Sequence, residues 1–364
     1  MRIVIRADAS LEIGTGHVMR CLTLALAMRE KGAEISFVCR EDAGNLCGLV
    51  ETMGFQCRRL ARSKTGCKTN SSAKGASSAS DSFQWMDARQ TVAAIEAFGG
   101  RPDLLVIDHY MLDKYWETVL RPHVDRIFVI DDLADRAHDC DVLLDQNLHD
   151  SLDARYSYAG LVSANARVFL GPKYALLRPE FDSVRAAPRT EGLRRLLVFF
   201  GGADATNESL KLLQALRLMG STAPETDLVL GPVNVHQESV FSAASGLACV
   251  NVVGQSDDMA GLMRGADLGV GTCGVAAWER CGVGLPSLVV VSAENQRDDA
   301  RILHAIGAVK NLGDAVNTSI ERWVSEVRHM QEEPALLAAM SVAAASVMRG
   351  RGEAKCDLEA ALVS

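Results

Sequence analysis

The run Gly14-Thr15-Gly16-His17 puts a potential base at a point where the backbone can turn tightly and leave amides free. It lies between an apolar strand pattern and a helical pattern whose apolar face includes Val18, Leu22, Ala25 and Leu26. Glycines let the chain turn and approach a ligand closely, and a helix start favours negative charge. His17 then projects from the first helical turn, where the dipole disfavours an imidazolium and keeps the ring able to accept a proton. The competing reading makes His17 a local cap or packing group. The run is not the dinucleotide fingerprint, because G-x-G-x-x-G needs a glycine where Met19 stands. That weighs against a nicotinamide enzyme.

Two further polar groups follow strand-like runs in the first half: Asp108-His109-Tyr110 after LLVI, and Asp131-Asp132 after RIFVI. Either acid group can touch a ligand or cap a helix. The adjacent acids make a poor metal site, since neighbouring residues seldom point the same way and no histidine stands at ligand spacing. No metal and no cofactor are expected. In the second half, Phe200-Gly201-Gly202-Ala203-Asp204 and Gly271-Thr272-Cys273-Gly274 both precede helical patterns. Both offer amide-rich helix starts to phosphate oxygens, with Asn207 and Thr272 adding side-chain groups. Glycine turns of this kind also occur in α/β folds that bind no phosphate. Glu279, about a helical turn further on, suits the paired hydroxyls of a ribose; alternatively it pairs with Arg280 or Arg297 at the surface. Asn295 and Gln296 follow the strand-like PSLVVV. Read as chemistry, the second half takes a nucleotide diphosphate and the first a reactive sugar at His17.

The elements that must position these residues alternate in the parallel α/β rhythm. Strands are expected at Arg2–Asp8, Glu34–Cys39, Leu104–Asp108, Arg126–Asp131 and Asp141–Asp145, with a helix over His17–Lys31. The rhythm restarts after Arg185–Gly192 with strands at Leu196–Phe200, Thr226–Gly231, Ala248–Gly254, Asp267–Gly271 and Pro286–Val291, and a helix over Val275–Cys281. The fold class is α/β, with two Rossmann-like doubly wound domains. Open parallel sheets bind ligands at the carboxyl ends of their strands, so a cleft between the domains is the expected site. The bounds read as 1–188, 189–340 and a helical tail over 341–364 that packs back on the first domain. The Ser-, Lys-, Ala- and Gly-rich stretch Ser63–Ser82 reads as a mobile surface insertion.

Composition bounds the function classes. A chain of 364 residues is too long for one small module. With 38 Lys and Arg against 46 Asp and Glu, the net charge of −8 argues against a broad nucleic-acid or anionic-membrane footprint. No run reaches the ~18 apolar residues of a membrane helix, and the start lacks a signal-peptide profile, so a cytoplasmic protein without stable membrane insertion is expected. The ten cysteines are scattered, with no C-x-x-C pair, and read as buried or idle thiols. Oligomeric state is not readable; a monomer is compatible.

The segments RADASLEIGTGHVMRCLTLA, DHY, IDDLADR, DQN, GPKYALLRPEF, FFGGAD and WERCGVGLPSLVVVSAENQ, in this order and spanning most of the chain, resemble the PseG family. These are UDP-2,4-diacetamido-2,4,6-trideoxy-β-L-altropyranose hydrolases of pseudaminic acid biosynthesis, within the wider GT-B superfamily that includes MurG-type glycosyltransferases. The resemblance implies a GT-B-like fold and metal-independent release of UDP, the free sugar feeding nonulosonic acid synthesis for flagellin or surface glycans. It implies that His17 is the general base on water, that Gly16 stands at the amide-rich turn, that Asp108 and Tyr110 line the sugar pocket, that Arg178 and Asn295 contact the substrate and that Glu279 meets the ribose, with Gly271, Thr272, Gly274 and Gln296 completing the substrate-binding set. The family's phosphate loop is richer in glycine and hydroxyls than Gly271-Thr272-Cys273-Gly274-Val275-Ala276, which implies an altered diphosphate affinity with Thr272 as substitute donor. Two other classes compete: a MurG-like UDP-sugar glycosyltransferase, for which the chain offers only a weak acceptor surface over Leu46–Phe55 and Lys64–Lys74, and a nucleotide-sugar-binding protein without catalysis.

Overall fold

The computed structural model describes residues 1–62, 78–149, 158–184, 189, 192–254, 256 and 258–363. The chain divides into two compact units: Met1–Asn147 with Ser151–Leu176 and Gly352–Ser364, and Leu148–Asp150 with Leu177–Arg351. The changeover thus falls twelve residues before the boundary read from the Arg- and Pro-containing stretch, because Leu177 and Arg178 already pack with the second unit.

The first unit carries strands β1 (Arg2–Ala7), β2 (Glu34–Arg40), β3 (Gln56–Leu60), β4 (Leu104–Asp108), β5 (Arg126–Ile130), β6 (Val142–Asp145) and β7 (Arg167–Leu170). They form one parallel sheet in the order β3-β2-β1-β4-β5-β6-β7. Helices α1 (Gly16–Glu30), α2 (Cys47–Thr52), α3 (Ser78–Ala97) and α4 (Lys114–Leu120) cover it. The second unit carries β8 (Arg195–Phe199), β9 (Glu225–Val229), β10 (Val250–Val253), β11 (Leu268–Thr272), β12 (Ser287–Val291) and β13 (Val309–Asp314), again all parallel, in the order β10-β9-β8-β11-β12-β13. Its helices are α5 (Glu208–Met219), α6 (Gln237–Ala244), α7 (Met259–Gly265), α8 (Val275–Gly282), α9 (Arg297–Ala305), α10 (Ile320–Glu332) and α11 (Pro334–Val347). The order of each sheet reverses direction beside its first strand, and the carboxyl ends at that switch point are where such sheets bind ligands.

Central strands bury both faces, so they read as continuous apolar runs. In β4 and β5, Leu105, Ile107, Ile127 and Val129 pack with Ile95, Trp116 and Leu120 of the covering helices. In the second unit, Leu196, Val198, Leu268, Val270 and Leu288 pack with Leu212, Leu216, Trp323 and Val327. The register pairs Ala7 with Asp108, and Asp108 with Ile130. The loops after β1, β4 and β5 therefore leave the sheet at one level.

The C-terminal stretch splits. Helix α11 stays in the second unit, where Ser341 Oγ donates to the Gly284 carbonyl at 2.7 Å. Helix α12 (Arg351–Val363) returns to the first, where Arg126 caps its end by donating to the Ala361 and Leu362 carbonyls at 3.0 and 2.5 Å. Lys31 pairs with Glu359 at 3.0 Å. Of the stretch read as an insertion, residues 63–77 lie outside the described residues. Ser78 to Ser82 is a correction: its backbone already forms the first turns of α3.

Candidate functional site

In the first unit the loop after β1 is tied to itself before α1 begins. Ser10 and Gly14 exchange backbone hydrogen bonds at 3.2 and 2.9 Å, and Ser10 Oγ accepts from the Glu12 and Ile13 amides. Gly14 closes this turn at φ +78°, a conformation that costs a side chain strain. Thr15 supplies no side-chain cap to α1. His17 follows in the first turn, buried to 4% exposure.

His17 Nδ1 donates to Asp108 Oδ1 at 2.5 Å. Asp108 ends β4 fully buried, and Arg20, one turn along α1 from His17, donates from Nε to Oδ2 at 2.6 Å and from Nη2 to Oδ1 at 2.7 Å. Burial works against ionisation of Asp108, but the charge of Arg20 and the hydrogen bonds from Arg20 and His17 outweigh it and hold the carboxyl well below the usual range. An ionised Asp108 fixes the histidine proton on Nδ1 and leaves the Nε2 lone pair open. Nε2 has no hydrogen-bond partner among the described residues. Tyr110 meets the His17 ring edge to face, with centroids 4.3 Å apart, and donates from its hydroxyl to Asp132 at 3.1 Å. Burial, aided by the Asp132 charge, pushes the Tyr110 phenol up, so it remains a donor. Arg20 also reaches Asp132, at 2.8 and 2.9 Å. His17, Asp108 and Tyr110 therefore meet as one group. Arg20 and Asp132 complete it; Arg20 was missed in the sequence, and Asp132 was seen only as half of an acidic pair.

The neighbouring acid points elsewhere, as adjacency suggested. Asp131 pairs with Arg136 at 2.8 Å and accepts from Tyr158 at 2.9 Å, while Tyr158 also reaches Asp145 at 2.9 Å. His109 likewise turns from Tyr110: its Nδ1 accepts from the Met111 amide at 3.1 Å, so Nε2 carries the proton toward Asp8 at 3.2 Å. Asp8 is held in turn by Arg6, which is fully buried between Asp8 and Asp87. Arg40, Trp116 and Thr91 also donate to Asp87, at 2.5, 3.0 and 3.4 Å. This network backs the His17 loop with paired charges. Among the described residues no group of three His, Cys, Asp or Glu side chains has metal-holding geometry.

In the second unit, glycines line the carboxyl edge of the sheet. A Cβ on Gly231, after β9, would lie 2.3 Å from the Gly202 carbonyl oxygen. A Cβ on Gly271 would lie 2.2 Å from the Phe199 carbonyl oxygen, so this glycine is set by the close approach of β11 to β8. The two glycine turns differ in what they leave free. Asp204 accepts from the Glu208 and Ser209 amides at 2.9 and 3.0 Å, so α5 is capped from within. Helix α8 starts at Gly274 without any side-chain cap. Of the two amide-rich starts read from the sequence, the one at α5 is thus occupied by Asp204, whereas the one at α8 has no side-chain cap. Thr272 ends β11, buried, and its carbonyl accepts from Arg280 at 2.7 Å. Cys273 is buried too, and burial pushes its thiol up to about 12. Gln296 reaches within 3.9 Å of a Cβ built on Gly274 and accepts from Ser292. Asn295 precedes it in the turn between β12 and α9.

Glu279 and Arg178 engage each other. Arg178 donates from Nε and Nη2 to the two Glu279 oxygens at 2.8 and 3.0 Å. The partners expected from sequence, Arg280 and Arg297, are both taken elsewhere: Arg280 is buried against Thr272, and Arg297 pairs with Glu294 and Asp314.

No family model matches the chain. Over 154 residues it is 30% identical to the spore coat polysaccharide biosynthesis protein SpsG of Bacillus subtilis, covering 42% of this chain and 45% of that protein. Over 217 residues it is 27% identical to the UDP-2,4-diacetamido-2,4,6-trideoxy-β-L-altropyranose hydrolase of Campylobacter jejuni, covering 59% of this chain and 66% of that protein. The chain thus matches about half to two thirds of the length of these curated relatives. Among solved structures, MurG of Acinetobacter baumannii superposes with a TM-score of 0.64 at 14% identity over 99% of both chains. LpCGTa, solved in complex with UDP, superposes with a TM-score of 0.62 at 15% identity over 100% of this chain and 99% of that one. The two parallel-sheet α/β domains match the GT-B glycosyltransferase fold.

Proposed function

We propose that the chain processes a UDP-activated sugar, and that it hydrolyses UDP-2,4-diacetamido-2,4,6-trideoxy-β-L-altrose to UDP and the free sugar. The observation that carries this is the buried Asp108–His17 pair, whose remaining imidazole nitrogen is open. Nε2 takes a proton from water as the oxygen bonds to the anomeric carbon. The bond from that carbon to the glycosidic oxygen breaks, UDP leaves with the electron pair, and configuration inverts. A positioned base contributes on the order of 10²- to 10⁴-fold. Asp108 balances the imidazolium that forms, while Arg20 fixes Asp108.

In this reading the uncapped start of α8 takes the diphosphate through Gly274 and the following amides. Glu279 takes the ribose hydroxyls. Arg178 occupies one lone pair on each carboxylate oxygen, and a carboxylate has about four such sites, so acceptor capacity remains. The substrate class is supported by the Campylobacter jejuni relative, whose name states that substrate, and by the conjunction of motifs from GTGH to AENQ.

The test is UDP release from that nucleotide sugar, without acceptor or added metal, in wild type, His17→Ala and His17→Phe. Turnover in wild type that collapses in both variants, with UDP binding kept, supports the reading. Release of UDP only when an acceptor is supplied would make the chain a transferase. Binding of UDP with no turnover under either condition would make it a binding protein.

A further inference from the structure

The second unit holds a buried charge that the reaction above does not use. Arg280, on α8, is 3% exposed, and its guanidinium makes one hydrogen bond among the described residues, from Nη2 to the Thr272 carbonyl at 2.7 Å. Its Nε is buried without a hydrogen-bond partner, and no carboxylate among the described residues pairs with it. Arg6 and Arg20, equally enclosed, each pair with two carboxylates. Glu279, beside Arg280 in sequence, gives both its oxygens to Arg178. The neighbouring thiols of Cys273 and Cys281 are pushed up to about 12 by burial and stay neutral.

Strand β11 makes room for this side chain. Gly269 and Gly271 lie two apart and so share one face; a Cβ on Gly269 would lie 2.8 Å from Arg280 Cδ, and one on Gly271 3.1 Å from Nη1. A buried guanidinium without a counter-charge is costly, so the cleared channel points to an anion from outside the chain. The peptide that Arg280 grips says where. C=O and N–H point in opposite directions in a trans peptide, so holding the Thr272 carbonyl turns the Cys273 N–H away from the guanidinium. That amide joins those at the start of α8, where Gly274 provides no side-chain cap.

We propose that Arg280 is a positioning residue for a diphosphate at the start of α8: it supplies a buried counter-charge and orients the Thr272–Cys273 peptide without touching the ligand. This rests on the reading of α8 as the nucleotide end of the site. The segment Thr272-Cys273-Gly274-Val275-Ala276 offers a diphosphate a single hydroxyl, and the charge behind it supplies what the loop lacks. Burial pulls the guanidinium below its ordinary value, the direction of a charge without a partner, yet an arginine stays protonated in proteins. The free chain bears the cost of that charge and a bound anion relieves it, so an apolar replacement should keep or raise stability while weakening binding.

The test measures UDP binding by calorimetry and uridine binding by NMR titration in wild type, Arg280→Met and Arg280→Lys, with urea unfolding of each free protein. Arg280→Met should bind UDP about 10- to 100-fold more weakly, bind uridine as wild type does, and unfold at the same urea concentration or a higher one. Arg280→Lys should recover most of the lost affinity. An Arg280→Met protein that binds UDP within twofold of wild type would overturn the assignment. Equal losses for UDP and uridine, or a urea midpoint well below wild type, would also overturn it, by marking Arg280 as a structural residue. In each of these outcomes wild type still binds UDP; a wild type that binds none would overturn the reading of α8 itself, and this proposal with it.

Discussion

Replacing Asp108 with asparagine asks how much of the proposed catalysis is carried by the partner behind His17. The pair stands at 2.5 Å, while Arg20 Nη2 lies 3.4 Å from the same imidazole nitrogen. At an effective dielectric of about 20, the carboxylate attracts a forming imidazolium by about 6–7 kcal/mol and the guanidinium opposes it by about 5 kcal/mol. Arg20 stays in the variant, so its repulsion cancels in the comparison; the carboxylate's attraction is what is lost, and the effect on rate is bounded by the worth of the base itself, on the order of 10²- to 10⁴-fold. Asparagine also loses an acceptor. With its oxygen toward His17, its amide nitrogen faces the Arg20 Nε–H donor; flipped, it faces both Nη2 and the ring nitrogen and favours the wrong tautomer. The expected fall in kcat for UDP release is therefore about 10²- to 10⁴-fold, the range of a positioned general base. UDP affinity by calorimetry should stay within a few-fold of wild type. Because Asp108→Asn leaves Arg20 ion-paired only with Asp132 and so costs stability, thermal melting and His17→Gln accompany it. A folded Asp108→Asn protein with kcat within about threefold of wild type would refute the reasoning, as would a His17→Gln protein that retained turnover.

Four other perturbations follow from the same geometry. Arg20→Met strands two carboxylates, one of them fully buried, and should lower stability by about 3–5 kcal/mol in urea unfolding, with Arg20→Lys recovering part of it. Glu279→Gln should weaken UDP binding about 10-fold, at roughly 1–2 kcal/mol for a charge-assisted hydrogen bond, with little change in kcat once substrate saturates; unchanged affinity by calorimetry would remove the ribose role. Gly271→Ala must force β11 from β8 and should cost about 1–3 kcal/mol, whereas Gly274→Ala, 3.9 Å from its nearest neighbour, should melt near wild type. Burial opposes ionisation of Asp8, Asp87, Asp108 and Asp131, but Arg6, Arg20 and Arg136 outweigh it and hold all four below the usual carboxylate value. Folded values below the unfolded ~3.9 mean that this stabilisation is fully present above about pH 5 and is lost as pH falls below about 4; urea midpoints that dropped between pH 7 and 6 would contradict it.

The sequence made the central strands legible and the edges illegible, for one reason. Leu104–Asp108 was read with the bounds the structure gives, and its neighbours to within a residue or two. The three strands that were missed, β3, β7 and β13, all lie at sheet edges. Edge strands keep one side in water, so QCRRL, RVFL and VKNLGD alternate polar and apolar residues or are too short to stand out. The fourth edge strand, β10, was found because VNVV retains its valines. Residues 63–77, read as an insertion, lie outside the described residues and bear on neither outcome.

The site divides along a similar line. What local rules announce was found: a histidine after a glycine turn, and acids directly after apolar runs. What depends on distant partners was not. Arg20 sits inside a helical pattern where an arginine is unremarkable, and its partners Asp108 and Asp132 lie 88 and 112 residues away in sequence. Arg6, within RIVIRAD, has its second partner Asp87 81 residues away. A charge in the middle of an apolar strand or on the inner face of a helix was the available signal, because a buried guanidinium must find carboxylates. Four acids close to strand ends (Asp8, Asp108, Asp131 and Asp132) require such partners, and Arg6, Arg20 and Arg136 supply them. The chain therefore invests its buried positive charge in fixing carboxylates at one sheet edge, and the consequence is chemical: Asp108, so fixed, determines which nitrogen of His17 is left to act.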